Sequence, residues 1–436
     1  MVKTGNSSRW WGRCEWLLVN GCRMLIAVTF VLSGIVKLID VTGTQYKIND
    51  YLQLMGLGQW MPQVVTLLLA ACLALLEFYL GISLFFGVNR RVASRIVVAV
   101  LLAFTPVTLF LAVTDATPDC GCFGDAWKLT NWQTFWKNVV LLAAAMLVAF
   151  KSRRITRLLL VDNQWIVTLY SQVFAFVFVC INLYGLPLID FRPYHVGADL
   201  LQKMTMSEPA GEVETFFIME KDGRRQEFSL EDYPDSTWSF VDTRTVAAAP
   251  ARDAAPEITD FSITTLDTGE DITMDVLTDT CYKFLLIAPY LEQADDGGMD
   301  RIDALYDYCE DYGYPFCCLT SSGETAIFRW QEMTGAEYPF FHTDDVVLKT
   351  MIRANPGLML LHGSTVVNKW PNTDLPRAEL LQGPIESLPL SHPQVDTKMQ
   401  RVVRLLLWYV LPLIVITLAD RMWLLWKMRK QHKQNV

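Results

Sequence analysis

Six apolar runs, near residues 16–38, 64–86, 92–113, 136–150, 166–186 and 402–426, constrain this chain more than any other feature. A helix needs about 20 apolar residues to cross roughly 30 Å of hydrocarbon, and within a bilayer the backbone polar groups must be paired inside the segment. The runs therefore predict six transmembrane helices. The fourth is the shortest, but it can begin earlier, in the aromatic cluster at Trp132 and Trp136, which reads as an interfacial belt. A chain that is 52% hydrophobic and 19% charged, with mean hydropathy +0.25, fits a membrane protein that carries a soluble part.

Lys and Arg cluster before the first run and after every second one: Lys3, Arg9 and Arg13; Arg90, Arg91 and Arg95; Lys151, Arg153, Arg154 and Arg157; Arg421, Lys427, Arg429, Lys430 and Lys433. Positive charge is retained in short cytoplasmic loops, so both termini are expected in the cytoplasm. The loop before the fourth run and the long segment 187–401 then face the opposite compartment, and in a bacterium the membrane would be the inner one. No cleavage site follows the first run, which can serve as its own uncleaved signal. In the long segment acidic side chains outnumber basic ones by more than two to one, which makes nucleic acid an unlikely partner and describes a solvated outer domain.

The string Thr117-Pro118-Asp119-Cys120-Gly121-Cys122-Phe123-Gly124-Asp125 lies between the third and fourth runs. Two thiols one residue apart close a disulfide only with a flexible residue between them, and Gly121 supplies that freedom. Such a tight ring is easily reduced, which suits a disulfide that is passed on. Two other readings stay open: a static bridge that shapes the loop, and a metal site, for which two Cys without a nearby His give too few ligands. Cys14 and Cys22 fall at the reducing side and Cys72 inside the bilayer, as free thiols, while Cys180, near the outer end of the fifth run, is within reach of the same loop in principle but is expected to pack.

Arg23, Phe30, Gly34 and Lys37 share one face of the first helix at 3.6 residues per turn, and that face should look into the bundle. On the second span Glu77 lies near mid-membrane with Gly81 one turn on. A carboxylate there needs a partner or a proton. Arg23 or Lys37 could pair with it; alternatively Glu77 stays neutral and hydrogen-bonded.

After residue 187 the pattern changes. Glu214 to Phe228 reads as two strands around Asp222-Gly223, and the Ala/Pro-rich stretch 247–256 as a linker. From residue 257 strands are expected at 261–266, 282–287, 315–320, 358–361 and 365–370, with helices at 299–312, 324–334 and 346–352. Cys309 on a helix, and Cys317 and Cys318 on a core strand, are expected to pack as small apolar groups. Cys281 with Cys317 or Cys318 is the disulfide pairing to test in this part.

Phe30, Gly34 and Lys37 on the first helix, Leu76-Glu77 and Gly81 on the second, and Asp119-Cys120-Gly121-Cys122-Phe123-Gly124 before the fourth together resemble the MauE/DoxX-like membrane family. The added fifth span and late outer domain resemble the layout of DoxX-family proteins in Bacteroides-like bacteria. Asn355-Pro356-Gly357-Leu358, with the strands around it, makes the outer part similar to TlpA/AhpC-like thioredoxin domains, in which Pro356 would occupy the cis-proline position. This chain departs from that pattern: where a Cys-x-x-Cys should follow the strand 284–287 it reads Ala288-Pro289-Tyr290-Leu291-Glu292.

The expected organisation is a four-helix MauE/DoxX-like domain at 14–150, a fifth span within 151–186, a juxtamembrane β region and linker at 187–255, and a thioredoxin-like α/β domain at 256–375. A linker at 376–401, a sixth span at 402–426 and a cytoplasmic tail at 427–436 complete it. The resemblance implies a thiol-disulfide relay or maturation factor, with Cys120 and Cys122 as catalytic residues, Lys37, Glu77, Arg23 and Gly121 in support, and periplasmic thioredoxin-like or client proteins as partners. The family is linked to methylamine utilisation. Two alternatives are a non-catalytic assembly protein and a quinone-linked carrier or transporter; a quinone is the cofactor to consider.

Overall fold

The computed structural model describes residues 4–115, 121–205, 214–221, 224–228, 239–246, 256–392 and 398–434. It divides into two compact units, one made of Met1–Arg192 with Gln394–Val436 and the other of Pro193–Pro393. The break at Pro193 lies a few residues beyond the boundary expected at 187. The last helix belongs to the first unit.

That unit contains α1 (Thr4–Ile39), α2 (Val41–Leu54), α3 (Gln63–Phe86), α4 (Arg90–Thr114), α5 (Asn131–Phe150) and α6 (Gln164–Tyr184). The final helix of the chain (Lys398–Gln434) packs with them. Six of these helices are long and apolar enough to cross a membrane. Their exposed positions carry large apolar side chains such as Leu32, Leu69, Phe110, Val140, Phe176 and Leu411, as a lipid-facing surface requires. α5 begins at Asn131 because Thr130 and Gln133 form a reciprocal capping box, which brings Trp132 into the first turn and lengthens the fourth span toward its aromatic cluster.

α2 was not expected. Asp40 ends α1, and its carboxylate accepts from the Gly43 amide at 2.8 Å, which caps the new helix. With Gly, Thr, Asn and β-branched residues inside it and only Val41 and Gln45 buried, α2 carries no strong periodic signal of its own. Its form is decided by tertiary packing.

The last helix docks on α6 through Tyr409, which stacks on Tyr170 at 5.8 Å, approaches Phe174 at 4.7 Å and shares a 2.9 Å hydrogen bond with Ser171. Nearer its C-terminal end, buried Asp420 accepts from the Leu160 amide at 3.0 Å and from Asn163 Nδ2 at 2.6 Å. Replacing Asp420 with Ala removes the acceptor of the half-buried Leu160 amide and of Asn163, at about 1 kcal/mol or more. Thermal unfolding of the purified protein should show a lower Tm for Asp420→Ala, and a smaller loss for Asp420→Asn.

The second unit opens with α7 (Leu200–Thr205) and an antiparallel sheet of β1 (Glu214–Lys221), β2 (Arg224–Phe228) and β3 (Ser239–Val246), in the order β2-β1-β3. The first two are the strands expected around Asp222-Gly223. A larger sheet follows, built from β4 (Thr264–Thr265), β5 (Tyr282–Ala288), β6 (Phe316–Thr320), β7 (Phe340–His342), β8 (Gly357–His362) and β9 (Thr365–Pro371), ordered β4-β7-β6-β5-β8-β9. β5, β6 and β7 run parallel, β8 pairs antiparallel with β5, and β9 pairs antiparallel with β8, so that β9 runs in the direction of β5. Central β5 is buried from Lys283 to Ala288, hence its near-continuous apolar text.

Around the sheet lie α8 (Thr273–Thr278), α9 (Met299–Tyr312), α10 (Glu324–Thr334) and α11 (Asp345–Met351), which makes the final helix α12. α9 and α10 bury Ile302, Leu305, Ile327 and Trp330 in a core with Phe284, Leu286, Cys318 and Leu360. β7, at three residues, is too short to show alternation, and the sequence gives no sign of it. The peptide bond between Asn355 and Pro356, leading into β8, is cis.

Candidate functional site

α1 and α3 meet backbone to backbone. A Cβ on Gly34 would stand 2.7 Å from the Phe78 amide nitrogen, and one on Gly81 would stand 2.7 Å from the Val31 amide nitrogen. This close approach brings together the polar side chains lying within a turn of the two glycines. Lys37 Nζ sits 2.8 Å and 2.6 Å from the two carboxylate oxygens of Glu77, and both residues are buried. Of the two cations considered as partners for Glu77, Lys37 makes the pair. Arg23 lies fourteen residues earlier on α1, roughly 21 Å along the axis, and its Nη1 donates to the Thr156 carbonyl at 2.5 Å.

Ser33, one turn before Lys37, extends the network. Lys37 Nζ donates to Ser33 Oγ at 2.9 Å, and the hydroxyl stands 2.7 Å from Glu77 Oε2 and 2.8 Å from the Cys122 carbonyl oxygen. A hydroxyl has one proton to give, so it serves either the ion pair or the loop. Sequence reading missed Ser33, although its place four residues before Lys37 puts it on the same helix face.

Cys120 lies outside the described residues; the loop is described from Gly121 onward. Gly121 and Gly124 have φ of +63° and +51°, a region that favours glycine, and the Gly124 amide donates to the Gly121 carbonyl at 3.0 Å. Beside Gly121 runs the stem of Lys47 from α2: a Cβ on the glycine would be 3.0 Å from Lys47 Cγ. Phe123 lies under Lys137 Nζ, 4.5 Å from the ring centroid, and 6.0 Å from the Trp127 ring. Lys47 was hidden from sequence reading because α2 itself was.

Between these elements lies a cavity of about 320 Å³. Its walls include Phe30, Leu73, Leu101, Phe104 and Leu141, while Ser33, Lys37, Glu77 and Cys122 supply polar groups. A cysteine, an ion pair and an apolar chamber therefore share one space inside a membrane helix bundle.

Residues 15–151 match the family described as methylamine utilisation protein MauE. The MauE-matching segment runs from α1 through α5 and contains every residue of the network and the cavity described above. Residues 213–248 match a domain of unknown function, DUF8463. No curated protein and no solved structure matches the chain.

The second unit offers a different chemistry. Where a thiol pair was sought after β5, the Tyr290 hydroxyl donates to Asp345, Lys349 Nζ pairs with the same carboxylate at 2.5 Å, and Glu292 accepts from Ser322 Oγ at 2.8 Å. Asn355, preceding Pro356, donates to the Tyr290 carbonyl at 2.8 Å. Cys281, Cys309, Cys317 and Cys318 are all unbridged, so the pairing considered for Cys281 is not formed. Burial pushes the Cys309 and Cys317 thiols up to about 12 and raises that of Cys318 as well, and the hydrogen bond to Asp279 raises that of Cys281. Thiols held in this way stay protonated near neutral pH and are poor nucleophiles.

Proposed function

We propose that the chain is a membrane-anchored thiol-disulfide exchange or maturation factor that works through Cys120 and Cys122 on proteins of the extracytoplasmic compartment. The observation that carries this reading is the place of Ser33, whose Oγ accepts from Lys37 and stands 2.8 Å from the Cys122 carbonyl oxygen, so that a proton given to the loop ties it through Lys37 to the buried pair. A surface loop needing no chemistry has no use for a buried ion pair as its anchor; a thiol that must meet a partner in a fixed pose does. The match to methylamine utilisation protein MauE supports a role in maturing a protein of that process.

The basic clusters favour cytoplasmic termini and a periplasmic second unit in a bacterial inner membrane. The parallel β5-β6 core, extended by an antiparallel β8-β9 hairpin, supports a thioredoxin-like reading of that unit. With Tyr290 and Glu292 at the position of the missing thiols, its role is docking of a client or a soluble thioredoxin-like partner.

Exchange passes through a mixed disulfide, so removing the resolving thiol should trap one. Of Cys120→Ser and Cys122→Ser, at least one is expected to accumulate a reductant-sensitive covalent adduct in cells, and the double variant none. The absence of adducts from both single variants would reject the relay. The poorly nucleophilic thiols of the second unit favour a second reading, a non-catalytic assembly factor. It predicts full function for a stably folded Cys120→Ser/Cys122→Ser protein.

A further inference from the structure

The end of the helix bundle where α3 stops and α4 starts gathers positive charge around one short stretch of backbone. The loop between α5 and α6, residues 151–160, packs against the turn between α3 and α4: the Leu158 amide donates to the Phe86 carbonyl at 3.0 Å, and a Cβ on Gly87 would stand 2.7 Å from the Thr156 carbonyl oxygen. Three successive carbonyls of that loop each accept from an arginine of a different helix. Arg90 Nη1, at the start of α4, lies 2.5 Å from the Ile155 oxygen, Arg23 Nη1 on α1 lies 2.5 Å from the Thr156 oxygen, and Arg421 Nη2 on α12 lies 3.2 Å from the Arg157 oxygen. These cations are held on about 7 Å of chain. Arg91 and the Arg157 side chain add two more charges close to Arg90.

Little on the protein answers this charge. Glu15 is paired with Lys151 and Arg154, and Asp420 spends its oxygens on the Leu160 amide and Asn163. Among the described residues, Arg23, Arg90, Arg91, Arg157 and Arg421 have no carboxylate within ion-pair distance. Arg23 is buried, and its Nε has no hydrogen-bond partner. A buried cation without a counter-ion is costly, and an anion settling nearby lowers that cost. Arg91, Arg157 and Arg421 are exposed. A guanidinium carries five N–H donors, so those already bonded to a carbonyl keep donors for a second acceptor, and the carbonyl bonds hold them in place before a ligand arrives.

The neighbouring surface is apolar: Val92, Phe150, Val161 and Trp165, at the ends of the spans that meet here, are all more than half exposed. A ligand matched to this place has anionic oxygens at one end, for which guanidinium forks are suited donors, and hydrocarbon at the other. We propose that this end of the bundle binds the headgroup phosphate of an anionic phospholipid, held by Arg90, Arg91, Arg157 and Arg421, with its acyl chains against the adjoining span ends. A zwitterionic lipid presents the same phosphate with a cation attached, which the arginines repel, so net charge decides the selection. The bound phosphate bridges α4, α12 and the loop, and supplies negative charge near Arg23.

The test uses delipidated full-length protein in detergent, titrated with phosphatidylglycerol or with phosphatidylcholine of the same chains, the bound lipid being counted by native mass spectrometry. One phosphatidylglycerol is expected to bind at least about tenfold more tightly than phosphatidylcholine, and to raise the Tm. Arg91→Gln and Arg157→Gln, at exposed positions with no carboxylate to strand, should each weaken it about fivefold and together about twenty-five-fold. Their Tm without lipid should match that of the wild type, which separates lost binding from lost fold. Arg429→Gln, a basic position elsewhere on α12, should bind as the wild type does. Equal affinity for the two lipids, or phosphatidylglycerol binding that the double variant retains, would overturn the proposal. A loss as large in Arg429→Gln would do so too, since it reduces the effect to diffuse surface charge. Displacement of phosphatidylglycerol by millimolar inorganic phosphate would assign the arginines to a free anion and overturn the lipid site.

Discussion

Lys37→Met alone is expected to destabilise the bundle by about 3–5 kcal/mol, because it leaves the Glu77 carboxylate buried without its cation. Lys37 Nζ lies within 2.8 Å of both Glu77 oxygens, and Ser33 offers the carboxylate one neutral proton in its place. Glu77→Leu strands Lys37 in the same way, and should cost a similar amount. The double variant Lys37→Met/Glu77→Leu removes both charges and replaces them with apolar volume, so most of the lost stability should return. Thermal unfolding of the four proteins in one detergent provides the cycle. Stability and function should then separate: in the double variant Ser33 has lost Lys37 and Glu77, so thiol exchange stays impaired in a protein that folds. Recovery of both together would mean that the pair only holds the helices.

The second large effect is expected at the helix crossing. A methyl group on Gly34 meets the Phe78 amide nitrogen at 2.7 Å and its Cα at 2.8 Å, and backbone atoms cannot move aside as a flexible side chain can. Gly34→Ala therefore forces α1 away from α3, at about 1–3 kcal/mol or more, and Gly34→Leu should prevent accumulation of folded protein. Lys37 is less than one turn from Gly34, so the same displacement lengthens its contacts with Glu77. Gly34→Ala should accordingly lower exchange activity further than its loss of stability explains. Gly21, on the same helix, has no atom within 4 Å of an added Cβ and serves as the control: Gly21→Ala is expected to be neutral or mildly stabilising.

The parts of this molecule that were legible in the sequence are those governed by long-range periodicity and by composition. Six spans, the inward face carrying Gly34 and Lys37, and α9 and α10 to the residue all follow from apolar spacing sustained over many positions. Elements fixed by a single contact or by short length were not legible. α2 depends on the Asp40 cap and on packing around the cavity, and β7 is three residues long. Because α2 was missed, Lys47 had no place near the Cys-Gly-Cys loop. Lys37 and Arg23 were equivalent candidates for Glu77 in sequence, since both lie on the inward face; depth along the axis separates them, and that is set by where α3 crosses α1. Ser33 shows the same limit on a smaller scale: its face was readable, but its reach to the Cys122 carbonyl depends on how the loop folds back.

The most direct measurement is the state of the Cys120 and Cys122 thiols in intact cells, read by alkylation mass shift before and after a membrane-impermeant reductant. Disulfide and dithiol forms should both be present at the start, and the reductant should convert the pair wholly to the dithiol. A pair that stays in one form under both conditions would contradict the account.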